Sequence, residues 1–141
     1  MLRHENLIVS NLLYNDSYAR LVIPNTSLRY FDDKHENLVV KSIMDFYNTY
    51  GKLPTKKILA IELAKTKSIS DGDVKNLAEY LQAIEKPDLE TDFDWLVKET
   101  ESFYKKKAVY NAILDSLMIV DGKDKNQNED AIPSILSEAL A

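Results

Sequence analysis

Residues 91–120 read TDFDWLVKETESFYKKKAVYNAILDSLMIV, with no glycine or proline among them. Thr91 and Asp94 have the three-residue spacing of a capping box, and Asp92 and Asp94 place anions where the positive end of a helix favours them. The stretch predicts one helix beginning near Thr91-Asp92 and ending at Val120. At about 29 residues and 1.5 Å per residue it spans roughly 43 Å, longer than a domain of this size is wide. Its two halves differ. From Lys98 to Lys107 it is mostly polar, with Phe103 and Tyr104 as apolar contacts, whereas from Ala108 to Val120 only Asn111, Asp115 and Ser116 are polar. A helix that is apolar nearly all round needs cover on every side. The short helices of a small domain do not reach the far end of such a rod, and a helix from a second copy would. The expected self-association surface is Phe103, Tyr110, Ile113, Leu114, Leu117 and Met118. Wrapping of the helix by its own domain is the competing reading.

Downstream, Asp121 to Asp130 is a run without one apolar side chain, which reads as a polar linker. Beyond it Ile132, Ile135, Leu136, Ala139 and Leu140 fall at i, i+3, i+4, i+7 and i+8. Pro133 suits a first helical turn, and Glu129 and Asp130 stand at its positive end. An isolated helix of about ten residues is marginal in water, so Ile132, Pro133, Ile135, Leu136, Ala139 and Leu140 are expected to form a docking helix. The chain stops there as if cut just after a connection to a second domain. The expected layout is a helical domain over 1–120, a linker over 121–130 and a docking helix over 131–141.

Upstream, the spacing is helical almost throughout. Leu7, Ile8, Asn11 and Leu12 form a first stripe, and Tyr18, Leu21 and Val22 a second that Pro24 ends. Leu38, Val39, Ile43, Phe46, Tyr47 and Tyr50 run to a stop at Gly51. Thr55 caps the next helix, with Ile58, Leu59, Ile61 and Leu63 behind it. Ser70 and Asp73 have capping-box spacing ahead of Val74, Leu77, Tyr80, Leu81 and Ile84, and Pro87 breaks the chain. With 3 glycines and 4 prolines in 141 residues, the many turns of an all-β fold have no supply of turn formers. The fold class is all-α: a compact multi-helix bundle with a long C-terminal helix in a helical hairpin.

Several functions are disfavoured by what the chain lacks. Without cysteine there is no disulfide or thiolate metal site, and His4 and His35 are too few for a zinc cluster. The phrase His-Glu-Asn-Leu occurs at His4 and again at His35, neither completing His-Glu-x-x-His, and reads as two helix starts. Gly51, Gly72 and Gly122 are isolated, so no phosphate-binding loop forms. Asp32-Asp33 and Asp71 with Asp73 sit at helix starts, where capping explains them. No catalytic, cofactor-binding or metal residue is therefore expected. The net charge of −5 disfavours primary DNA binding, and Lys105-Lys106-Lys107, preceded by Glu99 and Glu101, reads as a solvated helix face. The N-terminal run Met1-Leu2-Arg3-His4 reaches charge too early for a signal peptide, and no apolar run approaches the roughly 20 residues of a membrane span.

Asp94-Trp95-Leu96-Val97-Lys98-Glu99-Thr100-Glu101, the polar linker, and Ala131-Ile132-Pro133 with Ala139-Leu140 resemble the N-terminal region of the replicative DNA helicases of T-even-type phages. Tyr30-Phe31 through His35 to Pro54 is similar to the wider DnaB family, where an aromatic precedes a histidine-led helix that ends at glycine and proline. The resemblance spans nearly the whole chain. It implies a non-catalytic N-terminal collar that pairs with copies of itself, caps a hexameric ring and helps recruit primase in phage DNA replication. The ATP-dependent motor, with its ATP and Mg, would lie in a domain this chain does not contain. Phe103 to Val120 would be the hairpin or pairing element, and Ala131 to Ala141 the docking helix on a neighbouring subunit's motor. DNA contact would be weak or indirect, with no membrane partner, and the location would be the cytoplasm of the infected bacterial host. The reading from another class is a free-standing helical adaptor, which a linker and a terminal helix also suit.

Overall fold

The computed structural model describes residues 3–66 and 70–141; Met1 and Leu2 of the N-terminal run lie outside them. Among the described residues there are seven α-helices and no strand: α1 (His4–Tyr14), α2 (Asp16–Val22), α3 (Lys34–Tyr50), α4 (Lys56–Ala64), α5 (Asp71–Ala83), α6 (Phe93–Val120) and α7 (Ile132–Leu140). The chain divides into two compact units, Met1–Val97 and Lys98–Ala141, and α6 runs through the boundary.

Most helix ends follow from local chemistry. Asn15 closes α1 and caps α2, its side chain accepting from the Tyr18 N–H at 3.2 Å. Asp33 accepts from the Glu36 N–H at 2.9 Å to start α3. Gly51 ends α3 in the left-handed region at φ 70°, which a side chain would disfavour. Thr55 and Ser70 cap α4 and α5 as the spacing predicts, at 3.2 and 3.3 Å. Pro24 falls in a 3-10 turn, Ile23–Asn25, that ends the second segment.

The start of α6 differs from the expected capping box. Asp92, and not Thr91, is the cap: its Oδ1 accepts from the Trp95 N–H at 2.9 Å and its carbonyl from the Leu96 N–H at 3.0 Å. An aspartate competes well for this position, so the helix begins at Phe93 and Asp94 falls one place earlier in it. At 28 residues the helix is about 42 Å long.

In the first unit α3 packs on α1, α4 and α5, and α4 on α5, while α1 also packs on α2. Ile8, Val9, Leu12, Tyr18, Val39, Val40, Ile43, Leu59 and Leu96 are almost wholly inaccessible. The buried Asn11 of the first stripe is satisfied by donating to the Leu7 carbonyl at 2.8 Å and accepting from Asn15 Nδ2 at 3.2 Å. Four members of the expected stripes are instead exposed: Leu21, Tyr50, Ile61 and Val74. Ile61 shows why. It stands two residues from both Leu59 and Leu63, and two residues turn a helix by about 200°, so burying those leucines sends Ile61 outward.

Candidate functional site

The second unit contains most of α6, the polar segment and α7. At about 100° per residue, Ile113, Leu117, Phe103, Tyr110, Leu114 and Met118 lie in one band about 140° wide, with Ala112 and Ile119 opposite. Burial follows that division. Ala112 and Ile119 are each 5% exposed, whereas Tyr110 is 57%, Ile113 48%, Leu114 41%, Leu117 51% and Met118 45% exposed. Val120, which periodicity alone did not single out, extends the exposed band at its C-terminal end. Phe103 differs from the other five: it is half-buried, its ring 6.3 Å from that of Tyr104. Lys106 and Lys107 fall within the band's angular range, between Phe103 and Tyr110 along the helix. Lys107 Nζ lies 5.7 Å from the centre of the Tyr110 ring, so the apolar surface proper runs from Tyr110 to Met118. Lys105 and Lys106 are exposed, as a solvated face requires. Contiguous apolar surface of this kind is unusual on a soluble chain unless something covers it.

The sequence reading missed what stops α6. Gly122 adopts φ 72°, its N–H donates to the Ile119 carbonyl at 3.1 Å, and the Lys123 N–H donates to the Met118 carbonyl at 2.9 Å. These two bonds are a Schellman cap. The polar segment beyond it is locally ordered: Asp124 Oδ1 accepts from the Asn126 N–H and Asn128 Oδ1 from the Asp130 N–H, both at 2.9 Å. A 3-10 turn, Glu129–Ala131, then leads into α7 with Pro133 in its first turn. In α7 no residue is buried; Ile132, Ile135, Leu136 and Ala139 are half-buried, while Pro133 and Leu140 are exposed.

Among the described residues of the first unit one buried polar node stands out. Glu36 is wholly buried, its Oε2 accepting from the Tyr80 hydroxyl at 2.9 Å, with the Arg3 guanidinium 3.5 Å from Oε1. Oε1 has no hydrogen bond of its own. Burial pushes the Glu36 carboxyl above its ordinary range, against the opposing pull of Tyr80 and Arg3, and burial likewise pushes the Tyr80 hydroxyl up. Nearby, Asp73 bonds Lys34 at 2.8 Å and lies 3.6 Å from His35 Nε2; Lys34 foremost holds its carboxyl below the usual range. The node ties α3 to α5 and to the residue before α1. Within it the buried Glu36 carboxyl sits under the Tyr80 phenol, while Asp73 is held by Lys34 and lies beside His35.

The node makes a testable prediction. A carboxyl whose folded pKa is raised binds more protons folded than unfolded between the two values, so its contribution to stability falls as pH rises through that window. Glu36→Gln, which can still accept from Tyr80, should therefore melt above the wild type at pH 7 and converge with it below the ordinary glutamate range. Asp73 works in the opposite sense, losing stability as pH falls, but it is common to both proteins and cancels in the difference. Glu36→Ala leaves the Tyr80 hydroxyl unpartnered and should cost about 1–3 kcal/mol at low pH, and less at pH 7, where the wild type itself has lost the stability that Glu36 gives when protonated. Thermal melts from about pH 3 to 8, spanning the glutamate range from below, check both.

No protein-family model matches the chain. The described residues form an all-helical fold, and the chain is similar to part of a replicative DNA helicase. A similar protein is the DnaB-like replicative helicase of Enterobacteria phage T4, 25% identical over 143 aligned residues that cover 96% of this chain and 30% of the T4 protein. The chain thus spans less than a third of that relative's length. Among the described residues no helix is long and apolar enough to cross a membrane.

Proposed function

We propose that this chain is the non-catalytic N-terminal interaction domain of a hexameric, ATP-dependent replicative helicase, acting with primase in phage DNA replication. The observation that carries this reading is the exposed apolar band of α6, from Tyr110 to Met118, which single-chain folding leaves uncovered. Its occupant in the proposal is the same band of a second copy, and six copies complete the ring. The match to the T4 helicase over nearly the whole chain supports the choice of a replicative machine over a free-standing adaptor. In this reading α7 docks on a neighbouring subunit's motor domain, while ATP and Mg are bound in that motor.

The proposal predicts that residues 1–141 alone bind no ATP, because phosphate recognition needs a glycine-rich run of exposed amides followed by lysine and serine or threonine. Calorimetry of the chain with MgATP should show no saturable heat, and a stoichiometric micromolar site would overturn the assignment. The gene beyond codon 141 gives a second check: a Gly-x-x-x-x-Gly-Lys-Ser/Thr loop is expected within roughly the next hundred residues.

A further inference from the structure

A second exposed apolar group lies in the first unit, on residues the α6 band does not use. Leu89 is 86% exposed, Trp95 50% and Phe93 39%. Single exposed apolar side chains are ordinary on a surface. Here three fall within seven consecutive residues, and the backbone that carries them is held in place. The Thr91 N–H donates to the Asp88 carbonyl at 3.2 Å and the Glu90 N–H to Asp88 Oδ1 at 2.9 Å, closing a turn with Leu89 in its centre. One residue later the Asp92 cap fixes the first turn of α6. Phe93 and Trp95, two residues and about 200° apart, face opposite sides of it. Trp95, turned away from the buried Leu96 side, is therefore the one that joins Leu89 as the exposed apolar pair. Such pre-ordering lowers the entropy lost when a partner covers these side chains.

The surroundings are strongly of one sign. Between residues 85 and 94 stand Glu85, Asp88, Glu90, Asp92 and Asp94, all exposed, against Lys86 alone. Acidic groups around the apolar residues repel phosphate backbones and reward a cationic partner with faster and more selective association. We propose that the Leu89–Trp95 segment docks a protein surface with an apolar hollow rimmed by lysine and arginine. Leu89 and Trp95 are the anchors, tryptophan being a side chain that recurs where binding energy is concentrated. The acidic rim sets orientation and partner choice.

Trp95 is the sole tryptophan of the chain, so its emission reports on this surface directly. The chain is titrated with two amphipathic peptides of about 18 residues, long enough to hold a helix, one of lysine and leucine and one of glutamate and leucine. The Lys/Leu peptide should give a saturable blue shift that weakens with salt, and the Glu/Leu peptide none. Leu89→Ser, and separately Glu85→Lys with Glu90→Lys, should each weaken binding about tenfold or more, equivalent to about 1.4 kcal/mol, with circular dichroism unchanged. Glu62→Lys with Glu79→Lys makes the same change in net charge at exposed sites elsewhere in the first unit and should change affinity less than twofold. The proposal is overturned by the absence of a shift, by equal response to both peptides, or by equal weakening from the two charge-reversed pairs. A blue shift that grows with protein concentration alone would assign the surface to a second copy and overturn it as well.

Discussion

Leu114→Asp should turn an associating domain into a monomer. Leu114 lies near the centre of the α6 band and is 41% exposed in the single chain. If a second copy covers the band, the leucine contributes roughly 1.5–3 kcal/mol through burial, and the aspartate adds the cost of desolvating a charge without a partner. A combined loss of about 4 kcal/mol in the pair weakens the dissociation constant roughly a thousandfold. Light scattering over a concentration series checks this: the wild type should gain mass with concentration and the variant should not. The melting temperature of the variant at low concentration should stay close to that of the wild type, because the band is not part of the single chain's core. A wild type that remains monomeric at high micromolar concentration removes the pairing reading for the domain alone, and only the avidity of a full ring could then restore it.

Changing Ile135 and Leu136 together to serine should separate two roles for α7. Both side chains are half-buried, and no residue of the helix is buried. An amphipathic helix of this length has little stability without a surface beneath it. If that surface belongs to a neighbouring subunit's motor, each substitution removes about 2–3 kcal/mol of burial there. Hexamer assembly and the ATPase that depends on it should fall tenfold or more in the full-length protein. The melting temperature of residues 1–141 should shift by less than about 2 °C, since 1 kcal/mol in a domain of this size moves it by only a few degrees. A drop of about 8 °C or more in the isolated chain would instead show that α7 packs on its own unit, and the docking role would be wrong.

How much of this was legible follows from where each signal lies. The α6 band could be read in advance because 3.6-residue periodicity is local: once residues 93–120 are helical, the angular positions of Tyr110, Ile113, Leu114, Leu117 and Met118 are fixed. Whether the band is covered is not local, and the buried Ala112 and Ile119 and the exposed Leu114 are equally apolar in the sequence. The caps at Thr55 and Ser70 were legible because a hydroxyl three residues before an amide acts alone. The Gly122 cap was not read, because an isolated glycine beside a polar run looks like any loop residue.

The repeated phrase His-Glu-Asn-Leu draws the line between the two kinds of information. At both places the sequence by itself determined helix: α1 begins at His4, and α3, one residue ahead of His35, is capped by Asp33. Tertiary structure then gave identical residues opposite surroundings. Glu5 is half-buried beside the Arg3 guanidinium, 3.0 Å away, while Glu36 is buried beneath Tyr80 from a helix 44 residues on. Asn6 is exposed, while Asn37 donates to the carbonyls of Leu28 at 2.6 Å and Phe31 at 3.0 Å and holds the connection into α3. Helix formation and capping act over three or four residues and can be read along the chain. Burial of a carboxylate, pairing of an amide, and the exposure of one apolar face depend on which distant elements arrive beside them, and that only the folded chain decides.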